Sequence, residues 1–178
     1  MRIFIGCSGS NDIPSIYLQE SEKILTKIFE KNNDLVFGAN DKGIMGLSYR
    51  IAQQYHREVI GICPIAYTKD FELLECNEEI TTHTIEERTK MLIDYSNAII
   101  FLPGGIGTIY ELMAVIEAKR SGEFDKPVVI YNINNYFNKF LLCLEKVYTE
   151  NFTTREVEKC YYVTTNIDDA LMHIKNYK

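Results

Sequence analysis

Short apolar runs alternate with longer segments of helical spacing from one end of the chain to the other. No other feature restricts the fold as much. The runs Arg2–Ile5, Leu35–Phe37, Glu58–Ile62, Ala98–Leu102, Val128–Asn132 and Tyr161–Val163 read as strands. Ser15–Lys31, Ile44–Tyr55, Ile85–Tyr95, Ile109–Arg120, Phe137–Tyr148 and Ile167–Lys175 carry apolar residues at helical spacing. Strands that alternate with helices form βαβ units, and these build an α/β fold whose mostly parallel sheet is covered on both faces. No linker, repeat or low-complexity tract interrupts the pattern, so residues 1–178 are expected to form one domain.

In such a sheet, ligands bind beyond the carboxyl ends of the strands. There the sequence places "GCSGS" (Gly6–Ser10), "FGANDKGIMG" (Phe37–Gly46) and "FLPGGIGTIYEL" (101–112). One glycine after a strand is ordinary punctuation. Glycine-rich loops at three strand ends, expected to share one sheet edge, point to a ligand that the backbone approaches closely. A helix N-terminus behind such a loop favours an anion, so a phosphate-bearing ligand is expected. Candidate contacts are Ser8 and Gly9, then Gly43, Met45 and Gly46, then Gly104, Gly105, Gly107 and Thr108. Ser8 and Ser10 have the chemistry either to donate to a phosphate or to cap the next helix. Cys7 has no base placed near it and reads as a small packing residue. "GCSG" is not GxGxxG, and no acidic residue stands about 20 positions on at a second strand end, as a dinucleotide ribose requires. No loop ends in GK[ST], which disfavours a Walker-type site. A mononucleotide or sugar phosphate remains.

Charge excludes other classes. The formal net charge of −6 disfavours a surface that tracks nucleic-acid phosphates. Ala98–Pro103, among the longest apolar runs, is far too short to span a bilayer, and MRIFIGCSGS has no cleavable-signal pattern. An odd set of five cysteines without a CxxC pair is expected to be reduced, in the cytoplasm. His56, His83 and His173 are scattered without metal-ligand spacing.

Two charged residues fall in apolar settings. Thr108-Ile109-Tyr110-Glu111 matches a capping box, in which both side chains satisfy N–H groups at a helix start. The residues after it are apolar nearly all round, so Glu111 is also placed to act as a buried carboxylate beside the glycine loop. Ile85, Met91, Leu92 and Tyr95 form a helical stripe, and Arg88 falls on it. It is either a snorkelling or structurally paired arginine, or one aimed at a phosphate or at the site carboxylate. His83, just before that helix, reads as a surface or cap residue.

These residues resemble a known family. "PGGIGTIYE" (Pro103–Glu111) with the upstream "ERTKM" helix is similar to the PGGxGTxxE signature and arginine-bearing helix of the LONELY GUY (LOG) proteins, some of which carry the label lysine decarboxylase. "GCSGS", "DLVFGANDKGIMG", "EFDKPVVIYNINNYFN" and "TTNIDDAL" extend the resemblance through most of the chain. It implies a Rossmann-like, doubly wound homodimer that cleaves the N-glycosidic bond of a nucleoside 5′-monophosphate, such as AMP or a cytokinin riboside monophosphate. The products are free base and ribose 5-phosphate. It also implies catalytic roles for Arg88 and Glu111, and requires no metal or redox cofactor. Thr89 stands where the family usually has lysine, and Gly38-Ala39-Asn40 where it often has three glycines. Tyr67–Thr82, which would shape the base pocket, matches poorly; Asp70 or Glu72 in it is a further candidate contact. The alternative is a non-catalytic nucleotide or cofactor carrier, since molybdenum-cofactor carriers have a similar fold. A carrier keeps the glycine loops but has no need of the Arg88–Glu111 pair. A third alternative is an interaction protein whose loops are only structural.

Overall fold

The structure, a computed structural model, describes residues 1–68 and 74–177. The strands are β1 (Arg2–Gly6), β2 (Asp34–Phe37), β3 (Val59–Pro64), β4 (Glu78–Thr82), β5 (Ala98–Phe101), β6 (Val128–Tyr131) and β7 (Tyr162–Thr164). The helices are α1 (Ser15–Glu30), α2 (Gly43–Gln54), α3 (Ile85–Tyr95), α4 (Ile106–Arg120), α5 (Asn138–Thr149) and α6 (Ile167–Asn176). The strands form one seven-stranded sheet in the order β4-β3-β2-β1-β5-β6-β7, and every pair is parallel. This is the expected doubly wound, Rossmann-like sheet. Its order reverses between β1 and β5, where a crevice opens beyond the strand ends.

Burial explains why the inner strands are continuous apolar runs. Both sheet faces are covered, so neither set of alternating side chains reaches water. Ile3 and Ile5 turn to one face, where they pack with Ile24, Leu25, Ile28 and Phe29 of α1, Ile44 and Ile51 of α2, and Ile174 of α6. Phe4 turns to the other, with Leu92 and Ile93 of α3, Leu112, Val115 and Ile116 of α4, and Leu144 of α5. Burying one such side chain contributes about 1.5–3 kcal/mol before entropic costs.

Element ends move by at most three residues from the sequence expectation, α3 not at all, and β4 is an addition. The sequence "EEITT" has one aliphatic residue and no apolar run. It is a strand because β3 offers a free edge, with Ile80 opposite Ile62. As the edge strand its Glu78 and Glu79 lie exposed, so it needs no apolar pattern. Among the described residues no helix is long and apolar enough to cross a membrane.

Candidate active site at the carboxyl edge of the sheet

The glycine loops meet at one sheet edge. After β1, Ser8 N donates to Pro103 O (3.1 Å) in the loop after β5, and Met45 N at the start of α2 donates to Ser8 O (3.0 Å). Gly43 N donates to Asn11 Oδ1 (2.9 Å). A Cβ on Gly43 would come within 2.5 Å of Ser10 O, and its φ is +58°. Gly43 therefore serves the close seating of the first loop on α2. With the Gly43 and Met45 N–H groups bound within the protein, the α2 end offers little to a ligand. Ser8 and Ser10 also make local turns: Ser8 Oγ accepts from Ser10 N (3.1 Å), and Ser10 Oγ accepts from Asp12 N (3.2 Å).

The start of α4 differs. No described residue accepts from the N–H groups of Gly105, Ile106, Gly107 or Thr108. A Cβ on Gly105 or Gly107 would meet no atom within 4 Å. Packing within the chain does not demand glycine at either position. The positive end of the α4 dipole, with its first donors unclaimed by any described residue, has the character of an anion site.

The structure overturns the capping-box expectation at Thr108. Helix α4 begins at Ile106 with Gly105 as its cap residue, and no side chain caps it. Thr108 is already inside the helix, and its hydroxyl donates to Cys7 O (3.0 Å), pinning the α4 start to the loop after β1. Glu111 lies a turn further in, where it has no N-terminal N–H to cap. The reciprocal cap forms instead at α3: Thr84 Oγ1 accepts from Glu87 N (3.1 Å), and Glu87 Oε2 accepts from His83 N (2.7 Å). His83 itself is exposed.

Glu111 is 4% exposed. Arg88, reaching across from α3, donates through Nη2 to Glu111 Oε1, and its side chain is 18% exposed. Burial pushes the Glu111 carboxyl above its ordinary range, and the Arg88 guanidinium opposes that rise. Arg88 Nε is buried without a partner among the described residues. The guanidinium lies against Gly38 at the end of β2, where a Cβ would come 2.7 Å from Nη2 and 3.2 Å from Cζ. Gly38 is thus a residue that sequence reasoning missed. A glycine after a strand is too common to point to an arginine on another element. Met45 also borders this place.

The departures from the family pattern have definite outcomes. Thr89 is buried, with its hydroxyl donating to Ile85 O (3.0 Å), while the exposed Lys90 pairs with Asp94 (2.6 Å). Neither supplements Arg88. Ala39 holds φ +53°, a backbone state that glycine enters freely and alanine does not. Cys7 is buried and its thiol is pushed well up by burial, as a packing residue rather than a nucleophile. Asp70 and Glu72 lie outside the described residues. Among the described residues no three His, Cys, Asp or Glu side chains gather as metal ligands, and no lysine is buried.

Beside the α4 start lies a cavity of about 220 Å³, lined by Ser8, Ser10, Ile13, Pro14, Tyr17, Pro103, Gly104, Gly105 and Tyr136. Tyr17 and Tyr136 had no signal in the sequence that tied them to the glycine loops.

Comparison with known proteins now has geometry to rest on. Residues 45–174 match the family model described as "Possible lysine decarboxylase". The cytokinin riboside 5′-monophosphate phosphoribohydrolase LOG1 of Arabidopsis thaliana is 32% identical over 98% of this chain and 82% of its own. Its relative LOG3 from the same plant is 32% identical over 88% of this chain and 74% of its own. Among solved structures, the Moco carrier protein of Chlamydomonas reinhardtii superposes with a TM-score of 0.71 at 20% identity, covering 99% of this chain and 96% of that one. At that identity the likeness shows the fold alone. Matched over most of its length by the family model and by enzymes named for riboside monophosphates, the chain belongs to the LOG family, whose model bears the decarboxylase description.

Proposed function

We propose that this protein hydrolyses the N-glycosidic bond of a nucleoside 5′-monophosphate, AMP or a cytokinin riboside monophosphate, to free base and ribose 5-phosphate. The observation that carries the reading is the buried Glu111, paired with the part-buried Arg88, beside a helix start whose first N–H groups meet no acceptor among the described residues. In this reading Gly104, Gly105, Gly107 and Thr108 hold the 5′-phosphate, with Ser8 and Gly9 opposite. The ribose then lies toward Glu111. Water adds at C1′, the carbon–nitrogen bond breaks, and the base leaves with a proton. Positive charge builds on the sugar as the bond lengthens, as in glycoside hydrolysis. Glu111 stabilises that charge or activates the water, and Arg88 favours the ionised carboxylate against the opposing effect of its burial. Gly43, Met45 and Gly46 serve chiefly to hold the first loop and α2 in register around the site.

Product analysis tests this. Incubation with a panel of nucleoside monophosphates is expected to release free base. Adenosine should be poorer than AMP by about a hundredfold or more, the scale of losing several charge-assisted hydrogen bonds. Equal cleavage of adenosine and AMP would remove the phosphate from the recognition. Tight nucleotide binding without release of base from any member would favour a carrier, the activity named in the fold neighbour from Chlamydomonas.

We also propose a homodimer in the cytoplasm, where five free cysteines are at home. Helix α4 buries Leu112, Val115 and Ile116, yet its opposite side exposes Ile106 (87%), Tyr110 and Met113, with Ile85 of α3 also exposed. A second copy would cover this stripe. A dimeric mass by light scattering at micromolar concentration is expected, and a monomeric mass would end this part of the reading.

A further inference from the structure

Resting on the phosphate site proposed above, we infer that Tyr136 is a positioning residue that locks the Gly104–Gly105 peptide in the orientation an anion requires. Tyr136 Oη donates to Gly104 O (2.5 Å). In a trans peptide the carbonyl and the next N–H point to opposite sides. Pinning Gly104 O to the tyrosine therefore turns Gly105 N–H away from it. A Gly–Gly peptide is otherwise easy to rotate, because neither residue has a Cβ to restrict it. The rotated form would present a carbonyl oxygen where the phosphate needs a donor.

The segment that carries Tyr136 is built to hold it. After β6 the chain turns through Ile133–Asn135, and Asn134 and Asn135 both adopt left-handed backbone, at φ 48° and 58°. Consecutive residues in that region are uncommon and cost energy, even for asparagine. The buried Asn132 side chain ties the turn together. Its Oδ1 accepts from Phe137 N (2.8 Å), and its Nδ2 donates to Asn138 Oδ1 (2.7 Å). The Tyr136 ring meets Tyr17 edge-on at 5.6 Å and Phe137 edge-on at 5.1 Å between centroids. Yet Tyr136 remains 39% exposed, so core packing alone does not explain a turn this constrained. Strain held by surrounding bonds is a mark of a functional position. The group the turn delivers is the hydroxyl at Gly104.

Tyr136→Phe keeps both ring contacts and removes only the hydroxyl. Calorimetric titration with ribose 5-phosphate and with inorganic phosphate is expected to show about tenfold weaker binding than wild type, the scale of one hydrogen bond supporting a charged contact. With AMP as substrate, KM should rise about tenfold while kcat stays within about twofold, because phosphate binding is shared by ground and transition states. Adenosine affinity should not move, and the melting temperature should fall by only a few degrees, the scale of one lost hydrogen bond. Replacing Tyr136 by 4-aminophenylalanine restores a donor and should recover most of the phosphate affinity. A folded Tyr136→Phe protein that binds ribose 5-phosphate within twofold of wild type would show that the tyrosine only packs. Equal losses for adenosine and AMP would also overturn the inference, as general damage. Wild-type protein that binds neither ribose 5-phosphate nor phosphate would overturn the phosphate site itself, and this inference with it. That outcome is visible before any variant is made.

Discussion

Glu111→Gln is expected to leave the protein folded and able to bind nucleotide, and to lower release of free base by roughly two or more orders of magnitude. The substitution keeps size and an acceptor for Arg88 and removes only the charge. Because Thr108 lies inside α4 and bonds to Cys7 O, Glu111 has no capping duty to lose. Its burial already penalises the charged form, so the neutral amide relieves one cost while weakening the bond to Arg88. The net loss of stability is expected to be about 1–2 kcal/mol. Chromatography of the released base, calorimetry with the monophosphate and a melting curve together test the claim. Near wild-type turnover in the folded variant would end the catalytic assignment of Glu111.

Arg88→Ala should depress turnover on the same scale, with a distinct dependence on pH. In the wild-type protein burial raises the Glu111 carboxyl and Arg88 lowers it. Without the arginine only the raising influence remains. If the ionised carboxylate is the working form, activity rises as pH climbs through its pKa. The acid limb of the wild-type profile is then expected above the ordinary 4.5, and further up in Arg88→Ala. Stability should run the other way. A carboxyl whose folded pKa is raised contributes fully below 4.5, and that contribution fades as pH rises through the folded value. Melting temperatures of the variant should therefore fall relative to wild type as pH increases from about 4.5. Loss of the partner to a buried charge is expected to cost about 3–5 kcal/mol at neutral pH. Identical pH–rate profiles for the two proteins, after scaling, would separate Arg88 from the ionisation of Glu111. Gly38 bears on the same pair, since any side chain there would displace the guanidinium.

Strand–helix alternation determined much of this protein by itself. Strands buried on both faces must be apolar throughout, and helices covering them must be apolar on one side, so six of the seven described strands and all six described α-helices were legible, to within a few residues at their ends. The glycine loops could be placed at the carboxyl edge for the same reason. Arg88 drew notice because a charge broke an apolar stripe, and Glu111 because a carboxylate stood at the start of an apolar helix. Only the tertiary structure decided how these residues are arranged together. Thr–x–x–Glu spacing is equally present at Thr108–Glu111 and Thr84–Glu87. It became a cap at Thr84, where the helix starts. At Thr108 a carbonyl 101 residues away claimed the hydroxyl, and the helix began earlier. β4 became a strand because β3 had an open edge. The same holds for the bound N–H groups at the start of α2 and the free ones at α4, for Gly38 beneath Arg88, and for Tyr136 at Gly104. Each depends on atoms brought close by chain crossings, and local periodicity carries no record of them. Hydrophobic spacing constrains which way a side chain faces. Which partner waits there is set by packing, and packing joins residues that lie far apart in the chain.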